Sequence, residues 1–283
     1  MTTRRNFLQK MTALLAAFSF FKTSFSAVNK PKKVRFAVAS DGHYGQPNTS
    51  YQADFQNLIN WLNAEKKSKK GLDFCVLNGD LIHDKPEFLP QVKVVFDRLK
   101  IPYFVTRGNH DMVSRETWKQ TWGMETNHVF EKGNAGFILL DNSNEKGEYV
   151  CPDLAWFEEK LKAFANKKSV FIFMHISSRK WTKYGIDCPE VNDLIDKMPN
   201  VKAVFHGHDH DEDNMKASEG KVNHFWDGHF AGSWGTAYKG YRIVESNEFG
   251  SFNTYQYNPT EQKEINNFAL TMPQDPAYPK NRN

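Results

Sequence analysis

The amino-acid sequence predicts an α/β protein in which short apolar strands alternate with amphipathic helices. Residues 34–40 are apolar enough for a buried strand, and residues 51–65 place Phe55, Leu58 and Leu62 on one face of a helix. Helices that connect such strands cover the faces of a sheet. A chain of 283 residues with 40% hydrophobic side chains can bury a large core, and no boundary is sharp enough for a second domain. We therefore expect one α/β domain.

Strands are predicted from apolar stretches that end at a polar residue or a glycine. These stretches are residues 34–40, 74–77, 103–106, 136–140, 170–174 and 201–205. Beyond residue 210 the helical pattern stops, and further strands are predicted at 223–231, 240–245 and 251–257. Residues 260–283 are polar and contain prolines, so we expect a loosely held C-terminal tail after a domain of residues 34–259.

Helices are predicted where apolar residues recur three and four positions apart. Pro86 suits the first turn of a helix, where its missing N–H costs nothing, and Val92, Phe96 and Leu99 continue the apolar face. The predicted helices are 51–65, one that begins at Pro86, 152–165 and 191–198. Because these helices lie between the strands, we expect them to cover the faces of the sheets.

Acidic, amide and imidazole side chains directly follow several of the strands. They lie in the segments Asp41-x-His43, Gly79-Asp80, Gly108-Asn109-His110-Asp111, His175 and Gly207-His208-x-His210. Open α/β sheets bind ligands in the crevice beyond the carboxyl ends of their strands, so these segments are expected to converge. Oxygen and imidazole donors without thiolates suit Mn, Fe or Zn. The sequence therefore predicts a metal site.

The order and spacing of these segments resemble the calcineurin-like metallophosphoesterases from about Val34 to His210. The resemblance implies a four-layer αββα sandwich, in which two mostly mixed β-sheets are flanked by helices in a single domain. It also implies a metal-dependent phosphoric ester hydrolase, in which a metal-bridging hydroxide attacks the phosphorus in line. A small phosphodiester or nucleotide-like compound is the expected substrate, and a phosphomonoester is the alternative.

The same resemblance assigns ligands for two divalent or trivalent metal ions. Asp41, His43 and His210 would hold the first ion, and Asn109, His175 and His208 would hold the second. Asp80 would bridge the two ions and act in catalysis. A glycine precedes several of these ligands, at Gly79, Gly108 and Gly207, where a missing Cβ permits a tight turn.

Three neighbouring residues have roles that the pattern leaves less defined. His110 resembles the family's non-ligand histidine, which stabilises phosphoryl charge and helps to protonate the leaving oxygen. His83 stands where the protein-phosphatase branch has the carboxylate that orients this histidine, and Asp84 follows it. Either Asp84 takes the orienting role or His83 contacts substrate. Arg107 matches an arginine that clamps phosphate in that branch, and an ordinary ion pair is equally compatible.

Other interpretations of the motifs explain less of the sequence. The run 206–210 is compatible with a metallo-β-lactamase-like His-x-His site, but Asp211 is followed by Glu212 where that fold needs a histidine. The purple acid phosphatase branch would carry Gly at position 43 and Tyr at position 83. An exported metal-binding protein without turnover is the alternative of a different class, and His110 argues against it. Loop aromatics either stack on a nucleobase or fill the core: Trp181, Tyr184, Trp226, Trp234 and Tyr238.

The N-terminus has the composition of an export signal. Arg4 and Arg5 precede an apolar run at 11–21 that is too short for a membrane span, which needs about 20 residues. We expect residues 1–26 to be a signal of the twin-arginine type, either cleaved or kept as an anchor, and residues 27–33 to be a linker. The protein would use the twin-arginine export machinery and be periplasmic or extracellular, with no transmembrane segment in the mature chain.

The remaining charge and the cysteines limit the partners and the cofactors. Four of the 37 basic residues lie in residues 1–26, so the rest of the chain carries 33 basic and 33 acidic residues. Stable nucleic-acid binding is not expected of a neutral chain, because it needs a basic surface. Cys75 lies in an apolar strand, and the sequence leaves open whether Cys151 and Cys188 form a disulfide.

Overall fold

Two β-sheets pack face to face at the centre of the protein, in a computed structural model that describes residues 33–219 and 222–279. The strands are β1 (Val34–Ala39), β2 (Phe74–Asn78), β3 (Tyr103–Thr106), β4 (His128–Lys132), β5 (Ala135–Leu140), β6 (Ser169–Met174), β7 (Val201–His206), β8 (Met215–Ala217), β9 (Asn223–Trp226), β10 (Tyr241–Ser246), β11 (Phe252–Asn258) and β12 (Lys263–Leu270). The helices are α1 (Tyr51–Lys67), α2 (Leu89–Phe96), α3 (Arg115–Trp122), α4 (Leu154–Ala163) and α5 (Pro189–Lys197).

Both sheets contain parallel and antiparallel pairs. In the part of the chain that the structure describes, one sheet has the order β12-β11-β10-β1-β2-β3 and the other β4-β5-β6-β7-β9-β8. Strands β1, β2 and β3 run parallel to one another, as do β5, β6, β7 and β9, whereas the remaining pairs are antiparallel. Parallel neighbours end at the same edge, so the loops after β1, β2 and β3 begin side by side.

Apolar side chains fill the spaces between four layers. The space between the sheets is rich in aromatic rings, which include Phe36, Phe74, Phe137, Phe171 and Phe205. Helices α1, α2 and α3 cover the outer face of the first sheet, and α4 and α5 cover that of the second. Fully burying such a ring contributes about 1.5–3 kcal/mol, so this aromatic layer is a major source of stability. The predicted four-layer α/β sandwich is confirmed.

Three elements between the predicted strands were not expected from the sequence, namely α3, β4 and the three-residue strand β8. Helix α3 has only Trp118 and Trp122 as buried anchors, and its apolar pattern is too short to stand out. Its end signals are nevertheless present: the Ser114 side chain accepts a hydrogen bond from Thr117 N, and Gly123 ends the helix at φ 70°. Strand β4 begins at His128, is half-buried and pairs with β5 at the edge of its sheet.

The expectation of a loose tail from residue 260 is wrong for β12. This strand pairs with β11 along its length, and backbone hydrogen bonds form regardless of its polar side chains. The alternating pattern is broken because two residues, Asn266 and Asn267, oppose a single residue of β11. Asn266 adopts φ 53°, as bulged residues do. Phe268 and Leu270 pack against the core. A search for strict alternation does not detect this, because the bulge shifts the pattern by one residue.

The predicted strand 223–231 is also shorter than expected. It ends at Trp226, and the chain then turns toward the first sheet, where Phe230 N donates to Ser40 O at 3.1 Å. The expected export signal, residues 1–26, and all of the linker but residue 33 lie outside the described residues. Within residues 33–219 and 222–279, no helix has both the length and the apolar character needed to cross a bilayer.

Candidate metal centre

The loops after β1, β2, β3, β6 and β7 meet at one end of the two sheets and carry the candidate ligands. Asp41 N donates to Gly79 O at 3.1 Å, which joins the first two loops. The Asn78 side chain donates to Phe205 O at 3.2 Å and so connects β2 with β7 of the other sheet. Ligands from both sheets therefore face one another across a common crevice.

Several candidate ligands adopt a left-handed backbone conformation that non-glycine residues rarely take. The φ angle is 61° at Asp41, 46° at His43, 51° at Asp80 and 67° at His208. Such conformations cost on the order of 1–3 kcal/mol per residue and cluster at functional sites. The fold thus holds strained backbone at the positions from which these side chains reach the crevice.

The glycines that precede ligands leave room for side chains of other loops. A Cβ on Gly79 would lie 2.4 Å from His175 Nδ1, and one on Gly207 would lie 2.5 Å from Asp41 Oδ2. A Cβ on Gly108 would lie 2.2 Å from Asp80 Oδ1. These approaches are too close for any real Cβ, so the loops meet because their side chains are missing at these positions.

One group of side chains gathers around the bridge candidate from the β1 side. Asp41, His43, Asp80 and His210 each place a ligand atom within 4.8 Å of the others, and all four are buried. His210 Nε2 lies 3.0 Å from Asp41 Oδ1 and 2.9 Å from His43 Nε2. His43 Nε2 lies 3.6 Å from Asp80 Oδ2.

A second group shares Asp80 with the first. Asp80, His175 and His208 also place ligand atoms within 4.8 Å of one another. His175 Nε2 lies 3.1 Å from Asp80 Oδ2 without the alignment of a hydrogen bond. The backbone N–H of His110 donates to Asp80 Oδ1 at 2.8 Å, which holds the shared carboxylate in place and brings the Asn109 loop beside it.

The second group contains buried polar atoms that lack a partner. Asn109 Oδ1, His175 Nε2 and His208 Nε2 are buried and form no hydrogen bond with any residue that the structure describes. Leaving such an atom unsatisfied costs about 1–3 kcal/mol. These are oxygen and nitrogen donors of the type that divalent transition metals bind. The residues present therefore fit a pair of metal ions, with one carboxylate common to both.

The electrostatics of the two groups show how closely the charges are packed. Burial raises the pKa of Asp41, but His210 and His175 outweigh it and lower this pKa to about 2. Burial disfavours protonation of His175, but Asp80 and Asp41 outweigh it and raise its pKa to about 10. In contrast, burial lowers the pKa of His43 to about 3. Without a cation, the site thus retains a proton on His175 at neutral pH.

The side chain of His110 is positioned by Asp84 beside the ligand cluster. Its Nδ1 lies 2.6 Å from Asp84 Oδ1, so the carboxylate one position later takes the place that His83 occupies in the sequence pattern. Burial disfavours its protonation, but Asp80 and Asp84 outweigh it and raise the pKa of His110. The His83 ring stacks on His110 at 5.0 Å, and His83 Nδ1 lies 3.2 Å from His43 Nδ1.

Comparison with known proteins identifies this arrangement. Residues 34–212, more than half of the chain, match the family described as calcineurin-like phosphoesterase. The chain belongs to this family. The matched segment begins at β1 and includes every candidate ligand as far as His210, so the two groups described above lie inside the part of the chain that matches the family.

Relatives of this phosphoesterase domain include two curated bacterial proteins. A 3′,5′-cyclic-nucleotide phosphodiesterase from Nostoc sp. is 28% identical over 50% of this chain, and the match spans only 57% of that protein. A probable cyclic nucleotide phosphodiesterase from Fibrobacter succinogenes is 24% identical over 68% of this chain and 78% of that protein. A dimetal phosphatase from Danio rerio has the same fold, with a TM-score of 0.68 over 86% of this chain and 99% of that one at 13% identity.

The Arg107 guanidinium is fully occupied by contacts with neighbouring residues. It lies 2.7 Å and 3.2 Å from the two carboxylate oxygens of Asp141 and also donates to Val113 O and Ser143 O. Only 2% of the residue is exposed. These contacts match the ion-pair interpretation that the sequence left open rather than the phosphate clamp.

Two contacts that support the ligands could not be read from side-chain types. His175 Nδ1 faces Asn78 O at 2.8 Å, and His210 Nδ1 faces Trp234 O at 3.1 Å. Each contact fixes the ring so that Nε2 points into the crevice, as expected of metal-binding histidines. Because the acceptors are backbone carbonyls, no residue type marks them in the sequence.

Proposed function

We propose that this chain is a dinuclear-metal phosphodiesterase that hydrolyses a nucleotide-like substrate. The observation that carries the proposal is Asp80, which belongs to both ligand groups. Family membership supports phosphoester chemistry, and the names of the two bacterial relatives support a diester. The proposed ligands are Asp41, His43, Asp80 and His210 for one ion and Asp80, Asn109, His175 and His208 for the other.

The metals would supply Lewis-acid charge stabilisation and a water nucleophile of lowered pKa. The chain's own residues would orient the substrate and move protons. The His110 backbone N–H holds Asp80, and its side chain carries a proton that Asp84 and Asp80 favour. We propose that His110 gives this proton to the leaving oxygen, and that Asp84 keeps the imidazole in the required orientation.

The commitment of Arg107 to an ion pair favours a diester over a monoester. A phosphate monoester carries about two negative charges near neutral pH, and a diester carries only one. The arginine that would match a monoester clamp, Arg107, is committed to a buried ion pair with Asp141. The alternative is a phosphomonoesterase that uses the same site.

Hydrolysis of chromogenic esters by the manganese-loaded protein tests the proposal. We expect turnover of bis(p-nitrophenyl) phosphate, with a higher kcat/KM than for p-nitrophenyl phosphate. A preference for the monoester would support the phosphatase alternative. A protein that binds both metals but hydrolyses neither ester would instead be an exported metal-binding protein without turnover.

We also propose that the protein acts outside the cytoplasm after export by the twin-arginine machinery. The N-terminal residues supply the sequence signal, and Cys151 and Cys188 form a disulfide with their Cα atoms 5.7 Å apart. Disulfides persist in oxidising compartments such as the periplasm. Replacing Arg4 and Arg5 by lysine should leave the protein in the cytoplasmic fraction, and unchanged export of this variant would contradict the proposal.

A further inference from the structure

Three exposed aromatic side chains surround the candidate metal centre. Tyr149, Tyr184 and Trp234 are 41%, 37% and 45% exposed. Tyr149 and Tyr184 meet the His208 ring edge-on, with centroids 4.9 Å and 5.8 Å away. The indole of Trp234 lies flat on His210 with centroids 4.2 Å apart. Each of these rings thus contacts a histidine that is a candidate metal ligand. A phosphoester bound at the metals would therefore have all three rings as neighbours.

The indole of Trp234 is held in place on one face and open on the other. Thr236 N donates to His210 O at 2.9 Å, which fastens this loop to the ligand loop. A Cβ on Gly235 would lie 2.8 Å from the Cβ of His210, so the two loops are in direct contact. With one face on His210 and 45% of the residue exposed, the indole offers a fixed flat surface to a ligand.

The two tyrosines lie on loops that a disulfide joins. Tyr149 precedes Cys151 by two residues, and Tyr184 precedes Cys188 by four. The Cys151–Cys188 bond connects the loop after β5 with the loop after β6. Lys183 adds a positive charge 4.9 Å from the Tyr184 ring. Because the loops are already tied together, ordering them on ligand binding costs less.

We propose that Tyr149, Tyr184 and Trp234 form an aromatic platform that binds the nucleobase of the substrate while its phosphate lies at the metals. This inference rests on the proposed function and names the group that the site recognises. Aromatic stacking strengthens base binding by roughly 10- to 100-fold and tolerates any base, because every base has a π face. We therefore expect a preference for nucleotides over alkyl esters, with little discrimination among bases.

Two diesters with the same leaving group test the platform. The p-nitrophenyl ester of thymidine 5′-monophosphate presents a base, whereas methyl p-nitrophenyl phosphate does not. For the manganese-loaded protein, kcat/KM should be about 10-fold higher for the nucleoside ester. Trp234→Ala should lower this preference by about 10-fold, mainly through KM, and Trp234→Phe should restore most of it. An unchanged preference in both Trp234→Ala and Tyr184→Ala would overturn the proposal.

A matched control and a binding measurement separate this proposal from the proposed function. Helix α1 follows the loop that carries Asp41 and His43, and Trp61 lies about 15 Å along the helix from that end. Trp61→Ala should therefore leave the hydrolysis rates of both diesters at their wild-type values. In the His110→Ala background, calorimetry should show about 10-fold tighter binding of adenosine monophosphate than of ribose 5-phosphate. Base-dependent binding, together with no hydrolysis of either diester by the manganese-loaded wild-type protein, would contradict the proposed function alone. Hydrolysis of both diesters with equal kcat/KM, together with equal binding of the two phosphates, would contradict the platform alone.

Discussion

Individual side chains of the candidate centre are placed by contacts that cross from one loop to another. Asp80 receives the backbone N–H of His110, and Asp41 receives that of His208. Asp111 accepts from the backbone of Gly108 and Ile82. The carboxylates are therefore positioned by backbone amides, while backbone carbonyls hold the His175 and His210 rings with Nε2 in the crevice.

His110→Ala should separate catalysis from metal binding. The side chain is lost, but the backbone N–H that holds Asp80 remains, so metal content should stay near wild type. Turnover should fall by roughly 10²- to 10⁴-fold, as expected for loss of a general acid. A control variant, His128→Ala, removes a histidine that contacts only Glu125 O by hydrogen bond among the described residues, and it should keep wild-type turnover. Full activity in His110→Ala would exclude the assigned role.

The raised pKa of His175 predicts that metal uptake releases protons. In the metal-free protein this pKa is about 10, so the imidazole is protonated at neutral pH and must lose its proton to bind a metal. Metal affinity should rise with pH up to about 10. Calorimetry in buffers with different ionisation enthalpies measures the released protons, and a heat that is the same in every buffer would be the contrary result.

The same pKa fixes the sign of a stability effect in the metal-free protein. His175 binds its proton more tightly in the folded state than in the unfolded state, where its pKa is about 6.5. This contribution to the free energy of unfolding is fully present below about pH 6.5 and is lost as the pH rises through about 10. Urea titrations of the metal-free protein across this range measure the loss, which His175→Ala should reduce.

At the scale of elements, short loops rather than helices or strands bring the ligands together. The parallel strands supply a common edge, and the glycines allow the loops to approach within van der Waals contact. The convergence of the ligands could be predicted, because a ligand that directly follows an apolar strand must lie near the end of that strand. The partner of Arg107 could not, since Asp141 lies 34 positions later at the end of a strand in the other sheet.

Gly108→Ala tests this description of the loops. The added Cβ would lie 2.2 Å from Asp80 Oδ1 and 2.3 Å from Asp80 N, so the shared carboxylate must move and the protein should lose metal. Gly123→Ala is the matched control, because no atom lies within 4 Å of its added Cβ. Its φ of 70° makes alanine unfavourable by about 1 kcal/mol, but metal content should not change. Equal metal content in both variants would show that the Gly108 contact has no such effect.

For the whole molecule, the pattern of strands and helices predicted an α/β domain and most of its strands, and the family resemblance implied the sandwich. Elements at the edges of this pattern were not predicted. Strand β12 was not predicted because a bulge at Asn266 interrupts its alternation. Helix α3 was not predicted because two tryptophans form its entire buried face. Both lie outside the motif segments and depend on tertiary pairing. The disulfide between Cys151 and Cys188 likewise required the loops after β5 and β6 to be placed before it could be recognised.

The metal content of the loaded protein tests the central claim most directly, because the account depends on a carboxylate shared between two ions. Elemental analysis after manganese loading and desalting should give two ions per chain in the wild type. Asp80→Asn removes a charged ligand from both groups and should retain less than one. One ion per chain in the wild type, or two retained by Asp80→Asn, would contradict the shared-carboxylate centre.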